Sequence, residues 1–282
     1  MQWLDSERIL NEAKLSNDSY EITIIDVTKS TNNYLLDQYK EKYIDNQRNP
    51  KNTSIVAAEL QTSGRGRFDR RWYSGLGGSL TFSIGRWCKQ EDISAFAGLS
   101  LVIGLAILRT LNHYSIFDVC LKWPNDIVSD ARYQKLAGVL VDFKSHAHRL
   151  SYAVIGIGIN FNLNNEVKAH IEYPVTDLYS LSGRMIDRSV FCGTLLAKLH
   201  HMLIDFEKYG FTYFKEEWIS SHAFEEKVIN LILPDCSVIE GIARGIGDDG
   251  SLRLVTEQGT KSFHVGDVSL RIKNDGTQYI ND

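Results

Sequence analysis

The chain has no surplus of basic residues, no clustered cysteines and no apolar run long enough to cross a bilayer. Lysine and arginine together number 31 against 35 acidic residues, a net charge of -4. A nucleic-acid binder usually carries a basic excess, so DNA or RNA is not expected as the main partner. The four cysteines, Cys88, Cys120, Cys192 and Cys236, are far apart, and no CxxC or His/Cys spacing points to zinc. They read as reduced thiols rather than a disulfide framework. The longest apolar run, Ala95 to Leu108, is too short for a membrane span and reads as a buried helix. The first residues, MQWLDSERIL, are acidic and lack an apolar h-region, so they are not a signal peptide. The Walker A pattern is absent, which excludes a P-loop ATPase. Internal repeats and low-complexity tracts are also missing. A soluble, cytoplasmic protein is expected.

What is present is ordinary in bulk and unusual in one place. The 282 residues, 43% hydrophobic and 23% charged, suit one large domain or a large and a small one. The unusual place is Glu59 to Ser83, where Gly64-Arg65-Gly66-Arg67 is followed by Arg70, Arg71 and Trp72. Glycine lets a backbone approach a ligand closely. Arginine offers a rigid fork of donors that matches phosphate and carboxylate oxygens. Trp72 adds a flat face on which a base could stack. The stretch reads as a loop that wraps an anionic, nucleotide-like species, with a plain solvated basic loop as the alternative on local grounds.

The flanking texture supports a positioned loop. Glu21 to Val27 and Ser54 to Leu60 read as strands, and Gly77 to Ile84 as the strand on the loop's far side. Ser30-Thr31-Asn32 opens a helix, so these residues are either plain caps or ligand contacts at a strand-to-helix junction. Lys40 to Asn52 reads as a surface loop, and Asp92 and Ser94 as caps for a helix from Ala95 to Leu111 with Gly98 and Gly104 for close packing. Val119 to Lys122 is a strand broken by Pro124, with Asn125-Asp126 as turn residues. Ser129 to Tyr133 reads as a turn and Lys135 to Asp142 as a returning strand. A loop from Lys144 to Arg149 leads to the strand Ser151 to Phe161, whose Gly156 and Gly158 leave one face bare for a ligand or a neighbouring backbone. Helices are expected over Asp177 to Leu181, Arg188 to Tyr209 and Phe211 to Ser220. His200 and His201, like His146 and His148, read as surface or core-edge residues rather than metal ligands. From about Ala223 short strands separated by tight turns indicate a small all-β unit: Lys227 to Leu233, Ser237 to Ile246, Ser251 to Thr256 and Lys261 to Ile272. Lys273 to Asp282 reads as a frayed tail.

The ordered set of motifs resembles the bacterial biotin protein ligases. It comprises the GRGR element with Trp72 and Gly77-Gly78-Ser79-Leu80, then Lys122-Trp123-Pro124-Asn125-Asp126, Lys135-Leu136-Ala137-Gly138 and Gly156-Ile157-Gly158-Ile159-Asn160. The resemblance spans about Ile24 to Ile272. It implies an α+β fold: a large catalytic domain, residues 1–223, with a mixed central sheet flanked by helices as in class II synthetases. A small SH3-like β-barrel, residues 224–282, would follow. It also implies a two-step reaction in which biotin and ATP, with Mg2+ assisting, form biotinyl-5′-AMP, which then acylates one lysine of a biotin carboxyl carrier protein. By the same resemblance Ser30, Thr31, Asn32 and Gln61 would bond the ureido head of biotin, while Gly138, Gly156 and Gly158 make room for its rings and tail. Gly64, Arg65, Gly66 and Arg67 would wrap the biotin, with Arg67 closing over the adenylate. Lys135 would bridge carboxylate and phosphate, and Lys135, Arg67 and Arg65 are the catalytic candidates. Arg70 would meet the pyrophosphate, Trp72 stack near adenine, and Asn125 and Asn160 orient the nucleotide. Asp126 would support the loop or a metal, and no metal ligand is assigned.

Two features depart from the family pattern. Asp69 stands where a second glycine is common, so the loop is expected to order differently, and Gly75 replaces a common proline. Only about twenty residues precede Glu21, too few for the DNA-binding domain that some relatives carry. No operator binding is expected, nor any membrane partner, and the resemblance allows a homodimer through an edge of the central sheet. Rival readings are a lipoate-type acyl ligase on the same scaffold, or a non-catalytic biotin or nucleotide sensor.

Overall fold

The computed structural model describes residues 2–16, 19–44, 53–68, 70–88, 96–144, 151–233, 235–264 and 269–272. Asp69, Asp92, Ser94, His146, His148, nearly all of the loop before Ser151 and the tail after Ile272 lie outside the described residues. Its centre is a mixed sheet of seven strands. In chain order these are β1 (Tyr20–Thr28), β2 (Thr53–Gln61), β5 (Ser79–Cys88), β6 (Val119–Lys122), β7 (Asp126–Ser129), β8 (Lys135–Lys144) and β9 (Ser151–Asn160). They lie in the order β1-β2-β5-β9-β8-β7-β6. Only β1 and β2 run parallel, joined through helix α2 (Thr31–Ile44); the other ladders are antiparallel.

The pleat sorts residues by chemistry. Along β5, Leu80, Phe82 and Ile84 face one side, and Ser79, Thr81 and Ser83 the other. All six are buried. On the neighbouring β9, Ile159, Ile157 and Ile155 pair with the apolar set, while Asn160, Gly158 and Gly156 pair with the polar set. The apolar side packs against α1 (Ser6–Ala13), α3 (Leu99–His113) and α6 (Arg188–Tyr209) in one large core. α3 is buried along nearly its whole length, as its almost uniform apolar composition requires. The other side is covered by α2, through Leu35 and Tyr39 on Val56, Tyr152 and Val154. Where α2 stops covering it, that polar, glycine-gapped surface is left for the site.

A buried ion pair fastens the start of the chain. Arg188 on α6 lies 2.7 Å from Glu59 on β2, and both side chains are at least nine-tenths buried. Arg188 also donates to the carbonyls of Ser79 and Gln2, and Glu59 accepts from the Leu4 amide. Leaving either charge without its partner would be costly, so the pair holds the segment before α1 in one place.

The end of the chain forms a second sheet of five strands. They are β10 (Val228–Ile232), β11 (Val238–Ile246), β12 (Leu252–Thr256), β13 (Gly259–Phe263) and β14 (Ser269–Ile272), in the order β13-β12-β11-β10-β14. The single strand expected over Lys261 to Ile272 is therefore two, which pair with opposite sides of the sheet. Among the described residues no ladder joins β13 to β14, so the unit is an open antiparallel sheet rather than a closed barrel. Several contacts tie it to the first sheet. The chain after α7 (Lys215–Ser220) bonds the edge strand β6, through Leu121 N to the Ser221 carbonyl and Ala223 N to the Leu121 carbonyl. The buried Trp123 donates its indole N–H to the Gly250 carbonyl at 3.0 Å.

Other differences are local. α2 runs to Ile44, where a surface loop from Lys40 was expected. α3 begins at Leu99 after Gly98, whose φ of 81° takes the left-handed conformation that glycine accepts without strain. Two short helices, α4 (Asn165–Ala169) and α5 (Leu178–Ser182), are capped by Asn164 and Asp177. Only the second was expected, because five residues carry too little periodicity to register as a helix. The four cysteines are unpaired. Among the described residues no helix is long and apolar enough to cross a membrane.

Candidate active site

The glycine-arginine stretch folds into a small hairpin. β3 (Gly64–Arg65) pairs with β4 (Arg71–Trp72), with Gly64 opposite Trp72 and Arg65 opposite Arg71. A Cβ on Gly64 would lie 2.6 Å from the Trp72 carbonyl, so only glycine permits this pairing distance. The hairpin is rooted in β2 and in the turn before β5, and it stands over the polar side of the first sheet. Beneath it opens a cleft of about 1000 Å³ including its mouth.

The cleft gathers most of the residues expected from sequence. Ser30, Thr31, Asn32, Gln61, Arg65, Gly66, Arg67, Arg70, Trp72, Asn125, Lys135, Gly138, Gly156 and Gly158 all line it. Gly64 and Asn160 do not. Gly64 serves the hairpin. Asn160 is buried under the site, where its amide donates to the carbonyls of Thr176 at 3.1 Å and Lys135 at 3.4 Å. Lys135 is further held through its own backbone: its N–H donates to the Pro174 carbonyl, and its carbonyl accepts from Thr176 N.

One end of the cleft is a closed polar network at the start of α2. Gln61 Oε1 accepts from the Thr31 N–H at 2.8 Å and lies 3.1 Å from the Thr31 hydroxyl. Ser83 Oγ is 2.6 Å from both Thr31 Oγ1 and Asn32 Oδ1. The amide oxygen of Asn32 only accepts, so the single Ser83 proton goes there. The Asn32 amide nitrogen then donates to Asp142 Oδ2 at 2.8 Å. This end offers fixed donors and acceptors to a neutral polar head group, with little net charge of its own.

The strand left bare by glycine is not empty. A Cβ on Gly156 would fall 2.2 Å from Asn32 Oδ1, and one on Gly158 would fall 2.5 Å from the indole of Trp72. The glycines therefore let the Asn32 amide and the Trp72 ring lie directly on β9. Trp72 is buried, and its Nε1 has no hydrogen-bond partner among the described residues.

The middle of the cleft is cationic. Lys135 Nζ is 2.8 Å from Asp126 Oδ1 and lies 5.8 Å from the Trp72 ring centroid and 5.5 Å from that of Tyr173. Two aromatic faces and a carboxylate thus hold the ammonium in place. Arg67 stacks on Phe68 at 4.6 Å and makes a long contact of 3.5 Å to Asn125 Oδ1. Asn125 is itself fixed to β8, its side-chain amide donating to the Val139 carbonyl at 2.7 Å. Arg71 also lines the cleft, donating to the Thr62 carbonyl and stacking on Tyr73.

Sequence reasoning missed Ser83, Asp142, Phe68 and Tyr173. For Ser83 there was a signal: a strand that alternates Ser, Leu, Thr, Phe, Ser and Ile inside the protein must place its hydroxyls against something polar. For Asp142 and Tyr173 there was none, because their place depends on the strand order and on the path of the chain after β9.

Known proteins share this sequence pattern and fold. Residues 24–160 match the biotin/lipoate A/B protein ligase family, and residues 226–271 match the biotin protein ligase C-terminal domain. The bifunctional ligase/repressor BirA of Salmonella typhimurium is 32% identical over 271 residues, 96% of this chain and 79% of the relative. The chain belongs to the biotin/lipoate protein ligase family. A biotin–[acetyl-CoA-carboxylase] ligase of Mycobacterium tuberculosis is 29% identical, with 76% of this chain and 77% of that protein covered. Among solved structures, the Aquifex aeolicus biotin protein ligase in complex with biotin and ATP superposes with a TM-score of 0.73 at 27% identity. That match covers 90% of this chain and 99% of the other. As a member of this family the chain is a ligase, and the second sheet is the family's C-terminal domain.

Proposed function

We infer that the protein is a biotin protein ligase that makes biotinyl-5′-AMP from biotin and ATP and passes the biotin to a lysine of a biotin carboxyl carrier protein. The observation that carries this reading is one cleft with a neutral polar end and a cationic middle. The Ser30–Asn32 network with Gln61 and Ser83 suits an uncharged ureido group. Lys135 and Arg67 stand where a carboxylate and a phosphate would meet. The biotin carboxylate attacks the α-phosphorus, an acyl–phosphate bond forms, and the bond to pyrophosphate breaks. Two anions must approach each other, and fixed cations lower that barrier because they need not reorganise as charge moves. In the second step the carrier lysine, as a free amine, attacks the acyl carbon and AMP leaves. Between the steps the mixed anhydride must be kept from water, which is the work of the hairpin with Arg67, Phe68 and Trp72.

Gly138 keeps the floor beside Lys135 low: a Cβ there would crowd Lys135 Cε at 3.2 Å and Asp126 Oδ1 at 3.3 Å. Gly66 and Gly64 shape the hairpin, Arg65 and Arg70 add positive charge at its two sides, and Asn125 and Asn160 hold Arg67 and Lys135 in register. Mg2+ fits as a cation carried on the nucleotide. It prefers phosphate oxygens, waters and one or two carboxylates, and Asp126 is the carboxylate among the described residues lining the cleft. Mg2+ would partly neutralise the triphosphate, with Asp126 and the phosphates as its ligands.

The catalytic unit in this reading is residues 1–223, with 224–282 as the C-terminal domain, and the protein works in the cytoplasm, where its carrier substrate is made. Incubation with biotin, ATP, Mg2+ and an apo carrier domain tests the assignment. One biotin added to the carrier, read by mass, is expected. Lipoate transfer without biotin transfer, or neither with no pyrophosphate released, would overturn it.

A further inference from the structure

Asp142 lies on β8 at the rim of the cleft and belongs to no motif. Its carboxylate joins three parts of the fold. Oδ2 accepts from the Asn32 amide at 2.8 Å and from Arg65 NH1 at 3.3 Å, while Oδ1 accepts from Arg65 NH2 at 3.2 Å. Arg65 NH1 also donates to Asn33 Oδ1 at 2.7 Å. Both terminal nitrogens of Arg65 are thus engaged by protein, one by the N-terminus of α2 and both by β8. Asn32, on the other side of the carboxylate, is seated on Gly156 and accepts from Ser83. Asp142 is therefore, among the described residues, the carboxylate that touches both the first strand of the hairpin and the polar end of the cleft.

We propose that Asp142 is a positioning residue that clamps Arg65, and with it the strand β3, against the polar head-group pocket while orienting the Asn32 amide in that pocket. The planar fork of arginine matches a carboxylate edge-on, which makes the contact directional as well as attractive. The shared oxygen Oδ2 makes the two tasks interdependent. If Arg65 leaves, Asp142 loses the charge that sets its own orientation, and the Asn32 amide loses a fixed acceptor. If Asn32 is drawn toward a ligand, the carboxylate moves with it and carries Arg65 along. Arg65 so held acts by placing the hairpin, and the reacting anions fall to Arg67 and Lys135. The consequence for substrates rests on the ligase reading, but the clamp itself does not.

The test uses the full chain with Asp142→Asn and Asp142→Glu. Without substrates, trypsin cleavage after Arg65 is followed by mass, with cleavage after the exposed Arg132 in the turn before β8 as the internal reference. Losing a partly exposed charged pair with two hydrogen bonds of 3.2 and 3.3 Å is expected to speed cleavage after Arg65 by about fivefold in Asp142→Asn. Cleavage after Arg132 should keep the parent rate, and Asp142→Glu should restore at least half of the protection. With substrates, Asp142→Asn should raise KM for biotin and shorten retention of biotinyl-5′-AMP by a similar factor, while kcat for pyrophosphate release changes less than threefold. Unchanged cleavage after Arg65, or an equal rise at Arg132, overturns the clamp. A fall in kcat with KM unchanged overturns the positioning role and makes Asp142 part of the chemistry. A parent enzyme that forms no adenylate would sink the ligase reading and leave the proteolysis result standing.

Discussion

Replacing Lys135 by glutamine removes the ammonium while keeping a chain of similar length between Trp72 and Tyr173. Lys135 Nζ is 2.8 Å from Asp126 Oδ1, and the two side chains are 22% and 16% exposed. The site is thus neither fully wet nor dry. At an effective dielectric constant of about 20, one unit charge at 4 Å from another is worth about 4 kcal/mol. Loss of one such fixed donor at the point where charge develops has the same size, about 3–4 kcal/mol or 10²–10³ in rate. The glutamine variant also takes the Lys135 ammonium from Asp126, so a less neutralised carboxylate faces the incoming carboxylate and triphosphate. The expected result is a fall of about 10³ in pyrophosphate release at saturating biotin and Mg·ATP. Supplied with synthetic biotinyl-5′-AMP, Lys135→Gln should transfer biotin to the carrier with a much smaller loss, since the two anions no longer have to be brought together. Thermal unfolding of the variant guards against a folding defect. Pyrophosphate release within fivefold of the parent would refute the argument. So would an equal loss in both half-reactions, because the charge would then not be acting where the anions meet.

Gly156→Ala places a methyl 2.2 Å from Asn32 Oδ1, so the amide must leave β9. Overpacking of this kind costs about 1–3 kcal/mol, and KM for biotin should rise at least about fivefold while kcat falls less. Gly183→Ala is the control: its φ is 67° and nothing lies within 4 Å of the added Cβ, so thermal stability should drop slightly and KM should hold. Burial holds His222 below the ordinary imidazole value of 6.5, against the opposing pull of Glu225, with Trp218 and Phe224 packed on its ring and Lys227 adding a further downward push. A depressed histidine contributes stability above pH 6.5 that is lost as pH falls toward its folded value, because the unfolded chain takes up the proton first. The urea midpoint of the parent should therefore drop between pH 7.5 and 5.5, and His222→Gln should flatten that drop. An unchanged slope would assign the acid sensitivity to other groups.

Where sequence and structure agree, the cause is local chemistry that tolerates one answer. Arg188–Tyr209 is a helix from its first residue to its last because Asp187 caps it, through the amides of Ser189 and Val190, and Gly210 ends it. The glycine-arginine stretch stands out in the sequence as a candidate binding loop because four arginines beside two glycines are unusual, and in the structure it folds into the hairpin over the cleft. The partners of those groups were less legible, since each depends on strands far apart in the chain. Trp72 looked like a platform for adenine. Its ring lies on the glycine gap at Gly158, beside Lys135, a contact set by the β5–β9–β8 order that spacing does not reveal.

The same register explains why the glycines and the small polar residues of this cleft must be considered together. Ser79, Thr81 and Ser83 stand opposite Asn160, Gly158 and Gly156. Gly158 and Gly156 in turn pair with Gly138 and Leu140 on β8. Across three strands the surface under the hairpin is therefore low and hydrogen-bonding, while the reverse of the same strands is Leu, Phe and Ile. A shift of one residue in the β5–β9 ladder would turn Ile157 toward Asn32 and drive Gly156 into the core. The apolar face that fixes the register is thus also what keeps the ligand face shallow. The site's shape is a by-product of core packing, whereas its charge comes from Lys135 at a strand end and from the hairpin that stands above it.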